Sequence, residues 1–199
     1  MLVKVIAIAA MLIGTATLQG VANAQETFRV TLVGTGTPTA QPDRFGPATL
    51  VEVGNQRLLF DAGRGVPIRF AQLRIPTARI DMLFITHYHS DHVSGIPDLW
   101  LTAWLPGGGA RKEPFRVIGP TGAKELMANL EKAYAADVHI RIADQKLPPA
   151  GAAVLTEEFA SDGVVYEREG VRVTAFEVDH GDEIKPAYGY RSIMAAVRD

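Results

Sequence analysis

From Phe28 onward, short apolar runs alternate with turn residues. Arg29 to Val33 reads as a first strand, closed by Gly34-Thr35-Gly36-Thr37-Pro38. Thr49 to Phe60 reads as a β-hairpin, because β-branched and apolar residues flank a Gly54-Asn55 turn. A short helix is predicted over Val66 to Leu73, and then Ile80 to Thr86, a compact apolar run suited to a strand buried on both faces. Val93 to Leu105 is apolar enough for a helix entering the core, and Pro106-Gly107-Gly108-Gly109 breaks it. Phe115 to Ile118 is another short strand. Residues 121–136 place Ala123, Leu126, Met127, Leu130, Ala133 and Tyr134 at a helical period, with Thr121 positioned to cap and Lys124, Glu125, Glu131 and Lys132 on the wet side. His139 falls on a strand approach and reads as a surface or edge histidine. After a Pro-Pro-Ala-Gly loop, Val164 to Glu169 and Val171 to Val178 form a hairpin around Gly170, and Tyr188 to Ile193 is one more strand. There is no internal repeat and no linker, so residues 25–199 read as one α+β domain.

The composition narrows the class. Of 199 residues, 47% are hydrophobic and 21% charged, and there is no cysteine, which excludes a disordered chain, a disulfide scaffold and thiolate metal sites. Twenty basic against twenty-two acidic residues give no global positive field, so a nucleic-acid partner is not expected. At the N-terminus, Lys4, an apolar run from Val5 to Leu18 and the small residues of Val21-Ala22-Asn23-Ala24 match a signal peptide over residues 1–24, cleaved after Ala24. The run is shorter than the roughly 20 residues a bilayer span needs, so no stable membrane anchor is expected. Cleavage would leave 175 residues with a net charge of -3, an acidic product that is periplasmic or secreted.

The segment that carries chemistry is Thr86-His87-Tyr88-His89-Ser90-Asp91-His92, directly after the buried strand. Four of the five histidines lie here or at His180. Imidazole is a favoured ligand for divalent zinc, copper and iron, and three histidines and an aspartate within six residues would be costly to desolvate without a cation. A loop leaving a strand can turn His87 and His89 toward one point and Asp91 and His92 toward a second nearby, the split that a two-metal site requires.

This segment resembles the hallmark of the metallo-β-lactamase superfamily. The resemblance extends to Gly34-Thr35-Gly36-Thr37-Pro38, Phe60-Asp61-Ala62-Gly63, Ile118-Gly119-Pro120-Thr121-Gly122, and His180 followed by Pro186-Ala187-Tyr188-Gly189-Tyr190-Arg191. The last combination is similar to the ribonuclease Z branch, which also includes arylsulfatase-like and cyclic-nucleotide phosphodiesterase-like enzymes. The resemblance implies an αββα sandwich with metals at the edge between two sheets. It implies that His87, His89 and His180 bind a first Zn2+ and that Asp91 and His92 bind a second. Asp91 is also implied as a general base or proton shuttle, and Asp61 as a carboxylate that orients a ligand histidine from behind. The implied reaction is attack by a metal-bound hydroxide on a phosphorus, sulfur or carbonyl centre, with no protein nucleophile.

The family pattern has two further ligands beyond His180, a bridging aspartate and a final histidine, and no histidine follows His180 here. Two zinc ions are therefore expected in the complete family site, but one, or weakly two, in this chain. The chain reads as the N-terminal half to two-thirds of the sandwich, with an apolar sheet face left uncovered. A homodimer that completes the site is the rival explanation. The expected function is an exported zinc hydrolase of small phosphodiester or aryl sulfate esters. The alternatives are an acyl hydrolase of lactonase or β-lactamase type on the same fold, or an inactive zinc-binding fragment.

Overall fold

Strand residues alternate between two apolar faces of one sheet, and each face has its own cover. The computed structural model describes residues 28–194, so the expected signal peptide lies outside the described residues. The strands β1 (Phe28–Gly34), β2 (Ala48–Val53) and β3 (Gln56–Phe60) form an antiparallel meander. Then β4 (Met82–Phe84), β5 (Phe115–Pro120) and β6 (Val154–Phe159) add in parallel, giving the order β1-β2-β3-β4-β5-β6. Parallel pairing requires crossovers, and helices supply them. These are α1 (Val66–Leu73) before β4, α2 (Ser90–Val93) and α3 (Ile96–Trp104) before β5, and α4 (Ala123–Ala133), α5 (Ala135–Gln145) and α6 (Pro149–Ala152) before β6.

On the helix side, Leu50, Leu59, Leu83, Ile85 and Val117 pack against Phe70, Ile96, Leu99, Trp100 and Met127 in one buried cluster. On the other side lies a second, antiparallel sheet of β7 (Gly163–Arg168), β8 (Val171–Glu177) and β9 (Tyr188–Met194). Its Val171 and Val173 pack on Val51, Val53, Leu58, Met82, Phe84 and Ile118. Phe60 stacks on Phe84 with ring centroids 4.8 Å apart, and Tyr190 abuts both rings. Burying side chains of this size contributes about 1.5–3 kcal/mol each, which is why three residues suffice to make β4 a central strand. The smaller sheet stops short of β1, where Phe28, Val30 and Leu32 remain 45%, 54% and 66% exposed.

Most predicted elements are present, with four corrections. The helix predicted over 93–105 is present as α3 but begins at Ile96, because Val93 ends the separate short helix α2. The helix predicted over 121–136 ends at Ala133, and α5 follows after Tyr134. His139 therefore lies exposed on a helix, not on a strand approach. Val138, Ile140 and Ile142 alternate like a strand, yet Ala135, Val138 and Ile142 line one hollow beside Trp100 at helical spacing, and Asp137 pairs with Arg141 one turn on at 2.9 Å. Thr121 does not cap α4. The cap residue is Gly122, and the Glu158 carboxylate of β6 accepts the N–H groups of Gly122 (2.9 Å) and Lys124 (2.8 Å). That capping pair also explains β6, whose apolar alternation Glu157 and Glu158 interrupt.

Candidate metal centre

The site forms where the parallel strands end and the smaller sheet crosses them. Phe60 ends β3, and Asp61 follows in a left-handed conformation with φ of 60°, its N–H bonded to the Phe84 carbonyl at 2.8 Å. Ala62 donates to the His92 carbonyl and accepts from Gly95 N–H, both at 2.8 Å, so the Asp-Ala-Gly turn is strapped to the turn that carries His92. Glycine is needed for that approach. A Cβ on Gly63 would lie 2.4 Å from the Asp91 carbonyl oxygen, and one on Gly95 would lie 2.1 Å from the Gly63 carbonyl oxygen.

Asp61 organises the histidines from behind. Its buried carboxylate accepts the Thr86 N–H at 2.8 Å and the Thr86 hydroxyl at 2.8 Å, and Oδ2 accepts the His92 Nδ1–H at 2.7 Å. With its one proton given to Asp61, the Thr86 oxygen accepts from His87 Nδ1 at 2.9 Å. Both His87 and His92 are thereby set as Nδ1–H tautomers, leaving Nε2 lone pairs to face the site. Burial, and then the neighbouring His92, push the His87 pKa down to about 4, so this ring is neutral near pH 7. At His92 burial acts in the same lowering sense, but the hydrogen bond and charge of Asp61, together with Asp91, outweigh it and raise the pKa.

His180 comes from the loop between β8 and β9. That loop is docked by Tyr188 N–H donating to the Thr86 carbonyl at 3.0 Å and by the Tyr190 hydroxyl donating to the Ile85 carbonyl at 2.6 Å. As a result the ligand atoms of His87, His89 and His180 all lie within 4.8 Å of one another, with His87 buried and the other two exposed. His87 Nε2 and His89 Nδ1 approach to 3.1 Å. The His92 ring lies 4.1 Å from that of His87, and His92 Nε2 is 3.8 Å from Asp91 Oδ2. Asp91 Oδ1 is buried without a hydrogen-bond partner. Among the described residues the tight cluster is thus the three histidines, with Asp91 and His92 beside it as a separate pair.

The donor set fits a divalent cation. Three imidazoles that converge with free lone pairs form the protein half of a tetrahedral zinc site. A buried carboxylate oxygen left unpaired is costly, and a cation beside it removes that cost. The second pair supplies only two protein ligands, fewer than zinc takes in a closed site. Sequence reasoning missed Thr86 as the relay between Asp61 and His87. Its one available signal was its place immediately before the first histidine.

Known proteins share this fold and much of this sequence. A family profile described as Anti-Pycsar protein Apyc1 matches residues 28–113. Ribonuclease Z of Mycobacterium marinum is 38% identical over 167 residues, and that of Mycobacterium avium 40% identical over the same length. Each alignment covers 82% of this chain and 58% of the relative, so the chain spans little more than half the length of these relatives. The fold is similar to that of human tRNase Z, short form (TM-score 0.66, 22% identity, 83% of this chain and 64% of that one). It is also similar to the metallo-beta-lactamase fold protein YhfI from Bacillus subtilis (TM-score 0.60, 20% identity, 82% and 58%). The chain thus has the metallo-β-lactamase fold and is similar in sequence to ribonuclease Z over 82% of its length.

Proposed function

We propose that this chain carries the metal-binding part of an exported, zinc-dependent hydrolase of small phosphodiester or aryl sulfate esters. The observation that carries the reading is the convergence of His87, His89 and His180 within 4.8 Å beside the unpartnered Oδ1 of Asp91. His87, His89 and His180 would hold the first zinc, and Asp91 and His92 would contribute to a second. Zinc bound there supplies a Lewis acid that polarises the ester and makes water nucleophilic at neutral pH. Asp61 and Thr86 keep the His87 and His92 tautomers fixed, and Asp91 Oδ1 is free to take a proton. The relatives' name, ribonuclease Z, supports phosphodiester cleavage. The net charge of -3 expected after residue 24 supports a small ester over a polynucleotide, and the apolar N-terminus supports export.

The test is expression with the native N-terminus in a bacterial host, followed by intact mass, zinc titration and turnover of bis-p-nitrophenyl phosphate and p-nitrophenyl sulfate by the periplasmic fraction. The expected product begins at Gln25 and binds zinc. Any turnover is expected to be weak and to drop at least about tenfold in His89→Ala. Turnover unchanged in that variant would remove the metal-site reading, and an uncleaved cytoplasmic product would remove export.

A further inference from the structure

At the opposite end of the central strands, where β4 and β5 begin, lies a cleft of about 530 Å³. Six residues of chain separate Asp81 on its wall from His87, on the order of 20 Å if extended, so this space is distinct from the histidine cluster. Arg79, Lys112 and Arg116 line it, are exposed, and form no ion pair among the described residues. Arg168 joins them from the end of β7 and pairs with Glu169 at 3.3 Å.

The floor of the cleft is a fixed cation. Arg111 is only 8% exposed, and its guanidinium donates to the carbonyls of Trp100 (2.9 Å), Gly151 (2.8 Å) and Glu113 (3.2 Å), over the face of Phe115. Burial lowers its pKa to about 10, which still leaves it charged near neutrality. Carbonyl dipoles satisfy its Nε and Nη2 N–H groups, but none of these partners carries a negative charge, and a buried charge is stabilised when a counter-ion completes it. Asp81 also lines the cleft, with Oδ2 accepting the Arg57 N–H at 2.7 Å. Counting the five cations against Asp81 and Glu113 leaves a local excess of three positive charges on a chain whose formal net charge is -2.

We propose that this cleft binds a compact polyanion carrying two or more phosphoryl or sulfuryl groups, separately from the metal centre. Confinement argues for a compact ligand. The adjoining hollow, which shares Asp81, Arg116 and Arg168, is bordered by Glu157 and Glu167, so the positive surface ends in carboxylates instead of continuing as the track a polynucleotide backbone follows.

The experiment is calorimetric titration of the full chain with inorganic tripolyphosphate at low salt, in the wild type, in the double variant Arg79→Ala/Arg116→Ala and in His89→Ala. Both arginines are exposed, so the fold should survive their loss, and an unchanged melting temperature checks this. Affinity is expected to fall at least about tenfold in the double variant and to persist in His89→Ala, where zinc capture by the phosphate is disabled. Absence of binding, retention in the folded double variant, or loss in His89→Ala would each overturn the proposal. Tighter binding of a single-stranded oligonucleotide through the same arginines would overturn it in favour of a nucleic-acid track.

Discussion

His87 and His92 are held from below by Asp61 and Thr86 just beyond the strand ends of the larger sheet, whereas His180 reaches the same point from an exposed loop of the smaller sheet. In the first half every ring nitrogen facing the protein has a named partner, and the carboxylate that terminates the network is itself buried. The second half is positioned mainly through backbone, by the Tyr188–Thr86 hydrogen bond, and by one tyrosine hydroxyl. A buried polar network couples metal affinity to folding, because its members cannot be removed without leaving others unsatisfied. An exposed ligand on a docked loop couples to the metal alone. The site therefore has one half whose geometry the buried network fixes and one half that a bound cation would complete.

The largest effect is expected from Asp61→Ala. It strands the Thr86 N–H, the Thr86 hydroxyl and the His92 Nδ1–H, and it places alanine at a φ of 60°. We expect a stability loss of about 3 kcal/mol or more in a urea melt of the metal-free protein. A 10- to 100-fold weaker zinc affinity should accompany it. Lost stability with unchanged affinity would break the comparison, since the network would then serve folding only.

His180→Ala should do the reverse. Zinc affinity should drop at least about tenfold through loss of one ligand, while metal-free stability stays within about 0.5 kcal/mol, because the side chain is exposed. A large destabilisation without metal would mean that the β8–β9 loop is part of the folding unit.

The smallest effect is a pH dependence confined to the buried half. The folded pKa of His87 is lowered from 6.5 to about 4, so its contribution to stability is present above pH 6.5 and is lost as pH falls toward 4. His92, whose folded pKa is raised, acts with the opposite sign: its contribution is full below pH 6.5 and is lost as pH rises through its folded value. Between pH 6.5 and 4 the metal-free wild type should therefore lose stability more steeply than His87→Gln. Equal slopes in urea melts of the wild type and His87→Gln would show that burial does not act on this ring.

Much of the architecture was legible because its signals are local. The Gly54-Asn55 hairpin, the run from Ile80 to Thr86 and the hairpin around Gly170 follow from turn residues and alternation within a few positions. Elements whose stability comes from partners elsewhere were not legible. The β6 strand contains Glu157 and Glu158 and is recognisable only once Glu158 is seen capping α4, and α5 carries a strand-like alternation that an intrahelical ion pair and packing near Trp100 override.

For the site, the sequence by itself determined the donor types and the local cluster from His87 to His92, because ligand chemistry is a property of side chains and the spacing is fixed by covalent connectivity. Only the tertiary structure decided that His180, 93 positions after His87, reaches the same point, that Thr86 relays Asp61 to His87, and that Asp91 Oδ1 is left unmatched. Each of these depends on which strand ends meet and how far backbones can approach, and no residue type or spacing along the chain encodes that distance.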